Sequence, residues 1–134
     1  MKKLLSLFAL VVSLTISATA QRATLMPLVT GDTMANTGTV TKVMTFTAGY
    51  DGVVIQPVLT KLSGTVAGTV VLYESLDGTN YKSTGDTLTL ADATTNTVVW
   101  KKTSPVPVYY KTITSGATTV SAVMRTYYVA RKHD

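Results

Sequence analysis

Thr69-Val70-Val71-Leu72-Tyr73-Glu74-Ser75-Leu76-Asp77-Gly78-Thr79-Asn80-Tyr81 decides the fold class of this chain. Its first half is built from β-branched, aliphatic and aromatic residues, which are stiff or bulky and pack well on a pleated surface. Asp77-Gly78 then supplies the positive φ that a hairpin turn demands, with apolar residues on either side to make two arms. The stretch reads as strand, turn and strand, the turn being carried by Asp77, Gly78 and Asn80. The oxygens of this turn, like those of Asp51 beside Gly52, are too few for calcium, which takes about six to eight.

The same grammar extends in both directions. Val40, Met44 and Phe46 share one face of a segment whose other face carries Thr41, Val43 and Thr45. Lys42 interrupts the apolar face, which points to a sheet edge. From Val53 to Leu62, Val53, Ile55 and Leu59 alternate with Val54, Gln56 and Val58, and two apolar faces suit a central strand. Pro57 cannot donate to a ladder and points instead to an edge or a bulge. Further strands are expected over Thr87 to Leu90, Thr95 to Lys102 around Trp100, Val108 to Thr114 and Val120 to Arg131, with turns at Gly85-Asp86, Ala91-Asp92, Ser104 to Pro107 and Ser115-Gly116. No long window has helical spacing, and 24 threonines follow Gln21. The reading is all-β: an antiparallel β-sandwich of about seven to nine short strands, jelly-roll-like, with a barrel as the lesser option. Its expected core is Met44, Phe46, Ile55, Val71, Tyr73, Leu88, Trp100, Ile113 and Met124.

At 134 residues the chain has room for one domain. Met1 to Ala20 reads as a signal peptide: Lys2-Lys3, an apolar run from Leu4 to Ile16, and Ala18-Thr19-Ala20 in the pattern of a cleavage site. That run is shorter than the roughly 20 residues a membrane-spanning helix needs, so no stable span is expected. The domain is then 21–134, with 21–37 either a first strand or an extended arm that docks on a neighbour. The expected location is exported, whether periplasmic, cell-surface or secreted. The full chain has 12 Lys and Arg against seven Asp and Glu, for +5. Two of the basic residues fall in the signal, and ten against seven leave +3.

Composition removes most chemistries. Without Cys there is no disulfide, thiolate metal site or thiol nucleophile. The one His, His133, stands next to the end, where an imidazole is seldom held as a catalytic triad requires. Glu74 is the one Glu, and the six Asp sit mostly beside glycine. No enzyme, cofactor or metal is expected. Lys101-Lys102 and Arg131-Lys132 are dipeptides rather than a basic stripe, so no nucleic acid is expected. Gly64, Gly68 and Gly78 punctuate strands and open no phosphate-binding helix. What remains is surface. Adjacent residues in a strand face opposite ways, so one of Tyr109 and Tyr110 and one of Tyr127 and Tyr128 should face outward. With Tyr81 they are the candidate contacts for a partner protein or a surface glycan, as a platform if their strands pair.

Two stretches also carry a resemblance. Leu62 to Tyr81 resembles a strand-turn-strand unit of the small β-sandwich virion structural proteins of tailed bacteriophages. Tyr109-Tyr110-Lys111-Thr112-Ile113-Thr114-Ser115-Gly116, then Val120-Ser121-Ala122 and the basic pair Arg131-Lys132, is similar to their closing strands, with Lys111 where that pattern more often has Arg. The resemblance implies a head decoration, head fibre or tail-associated module without catalytic residues, contacting itself or capsid and tail subunits as a homo-oligomer or lattice-bound subunit, in the virion. The signal-like N-terminus departs from that pattern. Its Ala-x-Ala site followed by Gln21 resembles signal peptides of the Bacteroidota and suits the alternative, an exported cell-surface sandwich that binds carbohydrate or serves as an adhesin module.

Overall fold

The computed structural model describes residues 23–46, 50–103 and 106–132. The segment 1–20, read as a signal peptide, and His133 lie outside the described residues. The strands are β1 (Ala23–Ala35), β2 (Thr39–Thr45), β3 (Tyr50–Gly64), β4 (Gly68–Ser75), β5 (Lys82–Leu90), β6 (Thr95–Thr97), β7 (Trp100–Thr103), β8 (Tyr109–Gly116) and β9 (Val120–Lys132). They form two antiparallel sheets. Sheet I runs β1-β9-β3-β6, with β7 also on β3, and sheet II runs β2-β8-β4-β5. Sequence neighbours β1 and β2, β3 and β4, and β8 and β9 lie in opposite sheets, which is the jelly-roll arrangement of a sandwich. Residues from Ala23 onward belong to β1, paired along β9 from Ala23↔Arg131 to Ala35↔Ser121.

β3 is the central strand, held by β9 on one side and by β6 and β7 on the other. Pro57 sits inside it, not at an edge. The reason is local: the Pro57 carbonyl accepts from Thr97 Oγ1 at 2.9 Å, so its nitrogen, which points the same way in an extended strand, faces β6 and β7. There the ladder is already broken, because Val98 and Val99 join β6 to β7 outside any strand. The proline therefore costs no hydrogen bond.

The inward faces meet in one core that includes Met44, Phe46, Val53, Ile55, Leu59, Leu72, Trp100, Tyr110, Met124 and Tyr128. Phe46 is its pivot. Its ring makes edge contacts with Tyr50, Tyr110 and Tyr128, centroids 6.1, 5.8 and 5.2 Å away, tying a strand of sheet II to strands of sheet I. Three residues expected in the core lie elsewhere: Val71, Tyr73 and Ile113 alternate with buried Val70, Leu72, Thr112 and Thr114 and so face outward on sheet II. Leu88 is partly buried against the core. The inner face of β8 is instead polar at two places. Thr112 and Thr126 share a buried hydrogen bond of 3.1 Å between the sheets, while the buried Thr114 hydroxyl has no partner.

An ion pair between the sheets closes each side of the sandwich. On one side Lys42 of β2, buried on the core face, meets Asp32 of β1; β2 is the edge strand that Lys42 suggested. On the other, Lys102 of β7 meets Asp86 of the edge strand β5. A third pair, Lys61 with Asp92 at 2.7 Å, ties β3 to the loop after β5, where Asp92 also accepts from the Val66 amide.

Candidate binding faces

Each sheet presents one outward face. On sheet II, β4 and β5 form the hairpin read from the sequence, but the turn is not a tight one: Glu74 pairs with Lys82, leaving a loop over 76–81. Ser75 and Asp77 organise it. Ser75 Oγ accepts from the amides of Asp77 and Gly78, and Asp77 Oδ1 accepts from those of Thr79 and Asn80 at 2.9 and 2.8 Å. The Asn80 side chain donates from Nδ2 to Asp77 Oδ2 at 2.7 Å. Hydrogen bonds from the Asn80 side chain, the Thr79 and Asn80 amides and Ser75 hold the Asp77 carboxyl far below its usual range. Gly78 has φ 72°, and a Cβ there would lie 3.2 Å from the Tyr109 ring. Glycine is required both for the turn and for the ring packed on it. Asp77 is thus consumed by its own loop.

Beside this turn, Lys111 Nζ stands 3.9 Å from the centroid of Tyr81 and 5.5 Å from that of Tyr73, a cation held between two rings. The rest of the face is aliphatic and hydroxyl-bearing: Thr41 pairs with Ile113, Ile113 with Val71, and Val71 with Thr87. A hollow of about 460 Å³ at the turn is bordered by Glu74, Leu76, Asn80, Lys82 and Pro107. It mixes both signs of charge, and its best-placed carboxylate, Asp77, is already engaged.

The face of sheet I differs. Tyr127 of β9 lies opposite Gln56 of β3; one row on, Val129 lies opposite Val54, and Val54 opposite Lys101 of β7. In the next row Arg131 lies opposite Gly52, and Gly52 opposite Thr103. Gly52 has no side chain to fill the space between its neighbours. The result is a groove of about 480 Å³ with Gly52, Val54 and Val129 as floor and Lys101, Thr103 and Arg131 at its margins. Asp51, though next in sequence, does not line it. The ion pairs among the described residues engage Lys42, Lys61 and Lys102; Lys101 and Arg131 are in none of them.

Of the residues singled out by sequence, Tyr81, Tyr109 and Tyr127 are partly exposed, whereas Tyr110 and Tyr128 belong to the core at 1% and 8% exposure. Burial, then the nearby charges of Glu74 and Asp86, push the Tyr110 hydroxyl up to about 12. Outward Tyr109 and Tyr127 form no joint platform, because β8 and β9 lie in opposite sheets. Gly52, Val54 and Val129 carried no sequence signal for a site, and Lys101 and Arg131 read as isolated dipeptide charges. Among the described residues no three His, Asp or Glu side chains come together as a metal site, and no helix is long and apolar enough to cross a membrane.

No protein-family model matches the chain, and no curated protein matches it in sequence. Solved structures match its fold. It is similar to the Yersinia pseudotuberculosis-derived mitogen, with TM-score 0.54 and 12% identity over 84% of this chain and 89% of that one. A tailspike protein domain of bacteriophage CBA120 gives 0.50 and 6% over 84% of this chain. The CBM22-1-GH10 modules of Clostridium thermocellum xylanase 10B, complexed with xylohexaose, give 0.50 and 12% over 87% of it. In the last two the match spans only 19% and 25% of the other chain. At such identities the likeness is one of fold: a β-sandwich with two antiparallel sheets.

Proposed function

We propose that this protein is a non-catalytic, exported β-sandwich module that binds glycan on the outer face of sheet I. The observation that carries the reading is the groove floored by Gly52, Val54 and Val129, where side-chain donors stand uncommitted at the margins of an apolar floor. A sugar ring has the matching character, with C–H groups on its faces and hydroxyls around its rim. Fold alone does not assign such a role; the reading rests on this site. Four of the carboxylates elsewhere are spent on structure, Asp77 in its turn and Asp32, Asp86 and Asp92 in ion pairs. The exported location rests on the signal-like 1–20, and an N-terminus at Gln21 in the native protein, measured by mass spectrometry, is the expected result. A glycan array probed with the purified protein tests the binding role directly. Retention on a defined set of glycans supports it, and a blank array contradicts it.

A second reading, a virion-associated subunit, is favoured by a different surface. On sheet II, Val43 is 49% exposed and continues, through Lys111, a face that includes Val71 and Ile113. Apolar strand faces of this kind are commonly covered by a neighbouring subunit. The two stretches that resemble phage structural proteins include β4 and β8 of the same sheet. This reading predicts an oligomer or binding to phage particles. A stable monomer by sedimentation, with no affinity for capsid or tail protein, contradicts it.

A further inference from the structure

We propose that the sheet I groove is built for an anionic glycan, Lys101 and Arg131 engaging a carboxylate or sulfate while Val54 and Val129 seat the sugar ring over Gly52; this rests on the glycan reading above and names its ligand class. Three observations lead there.

The first is charge. Lys101 and Arg131 stand on β7 and β9, the two neighbours of β3, Arg131 opposite Gly52 and Lys101 opposite Val54 one row on; two strand spacings across and two residues along put their backbones roughly 12 Å apart. Among the described residues no carboxylate lines the groove between them. Lys102, which also borders the groove, has its ammonium bound to Asp86 between the sheets. Two cations facing an unoccupied space without a counter-charge attract an anion, and the planar guanidinium of Arg131 can bind a carboxylate or sulfate through two parallel hydrogen bonds.

The second is shape. A Cβ placed on Gly52 would meet one atom, the Lys102 carbonyl oxygen at 3.3 Å, a close contact with the neighbouring strand; above it the groove is open. Its volume, about 480 Å³, lies in the range of roughly 300 to 1,000 Å³ found for small-ligand sites.

The third is what the backbone withholds. Through Gly52 to Ile55, β3 is paired with β9 on one side and β7 on the other. The floor strand β3 therefore has no free edge at the groove; the free edge here is the far side of β7 at the groove's margin, so an extended acidic peptide adding to the sheet would lie beside β7 and not over the Gly52 floor. Recognition falls to side chains around an apolar floor, which suits a charged sugar better than an acidic peptide.

The test uses the purified full-length protein in titrations with polygalacturonate, dextran sulfate, neutral xylan and duplex DNA at low and moderate salt. Two variants accompany it, Lys101→Gln/Arg131→Gln and Gly52→Val. The φ of Gly52 is not in the left-handed region, so valine fits the strand backbone once the Lys102 carbonyl, 3.3 Å from the added Cβ, gives by a few tenths of an ångström; it fills the groove and leaves every charge in place. Thermal unfolding establishes that both variants are folded. Polygalacturonate or dextran sulfate should bind at least about tenfold more tightly than xylan, weaken with salt, and lose about tenfold or more in either variant. The better of the two polymers distinguishes a carboxylate ligand from a sulfate. Equal binding of wild type and Gly52→Val overturns the groove, as does duplex DNA bound as tightly as the best polysaccharide and equally indifferent to Gly52→Val. Xylan bound as tightly as the acidic polymers overturns the charge assignment and leaves the glycan reading standing. No binding to any polysaccharide overturns both.

Discussion

The two outer faces share one strand grammar and differ in how their charges are settled. On sheet II, Lys111 is held by Tyr81 and Tyr73, and Asp77 is closed within its turn. On sheet I, Lys101 and Arg131 border a glycine gap with no acid between them among the described residues. A polar group already satisfied inside the protein has little to gain from a ligand, whereas an unsatisfied one gains the full interaction. Number of exposed tyrosines is therefore a poor guide to the site; commitment of the polar groups is a better one.

Breaking the shared core should erase the difference between the faces altogether. Phe46 joins Tyr110 of sheet II to Tyr128 of sheet I, and Phe46→Ala should destabilise the fold by about 3 to 5 kcal/mol in urea titrations, with both faces lost together. A smaller and more discriminating pair lies beneath the surface. Thr112→Val leaves the Thr126 hydroxyl buried without its partner and should cost about 1 to 3 kcal/mol. Thr114→Val removes a buried hydroxyl that has none and should stabilise by about 1 kcal/mol. Opposite signs from two threonines on one strand face would sharpen the account of β8; equal signs would break it. On the outer face of sheet II, Lys111→Gln should cost about 0.5 to 1 kcal/mol from the lost ring contacts, with glycan binding unchanged.

The faces should also differ in acid. Hydrogen bonds depress the Asp77 carboxyl in the folded state, so its stabilising effect is complete above the ordinary carboxylate range, near about pH 4, and declines as pH falls through and below it. Asp92 follows the same sign, held down by Lys61 and the Val66 amide. In Asp86 burial works upward, but hydrogen bonds from Lys102 and Thr84 outweigh it. Wild type and Asp77→Ala should therefore have unfolding midpoints that converge as the pH is lowered below about 4. A constant difference down to strongly acidic pH would show that Asp77 does not organise the loop through its charge.

Much of this architecture is readable from sequence, and the exceptions have physical causes. Alternation locates the strands, and Lys42 on an apolar face marks β2 as an edge. The faces of β4 and β8 are a different matter. Apolar or threonine residues occupy both sides, so period two does not select an inside. Burial of Thr112 is decided partly by Thr126, on a strand of the opposite sheet. Pro57 argues for an edge until Thr97 and the break at Val98-Val99 are seen beside it. The groove is the least legible element. Lys101 and Arg131 are far apart in the chain and border the same groove only because β7 and β9 pair with opposite sides of β3. No local pattern encodes that strand order.

The central claim is that ligand is bound on sheet I at Gly52, and backbone amide shift mapping by NMR during titration with an acidic oligosaccharide tests it most directly. The account predicts shifts clustered at Gly52, Val54, Lys101, Val129 and Arg131, with Lys111, Tyr81 and the Asp77 turn unmoved. Shifts confined to the Asp77 turn and the outer face of sheet II would contradict it.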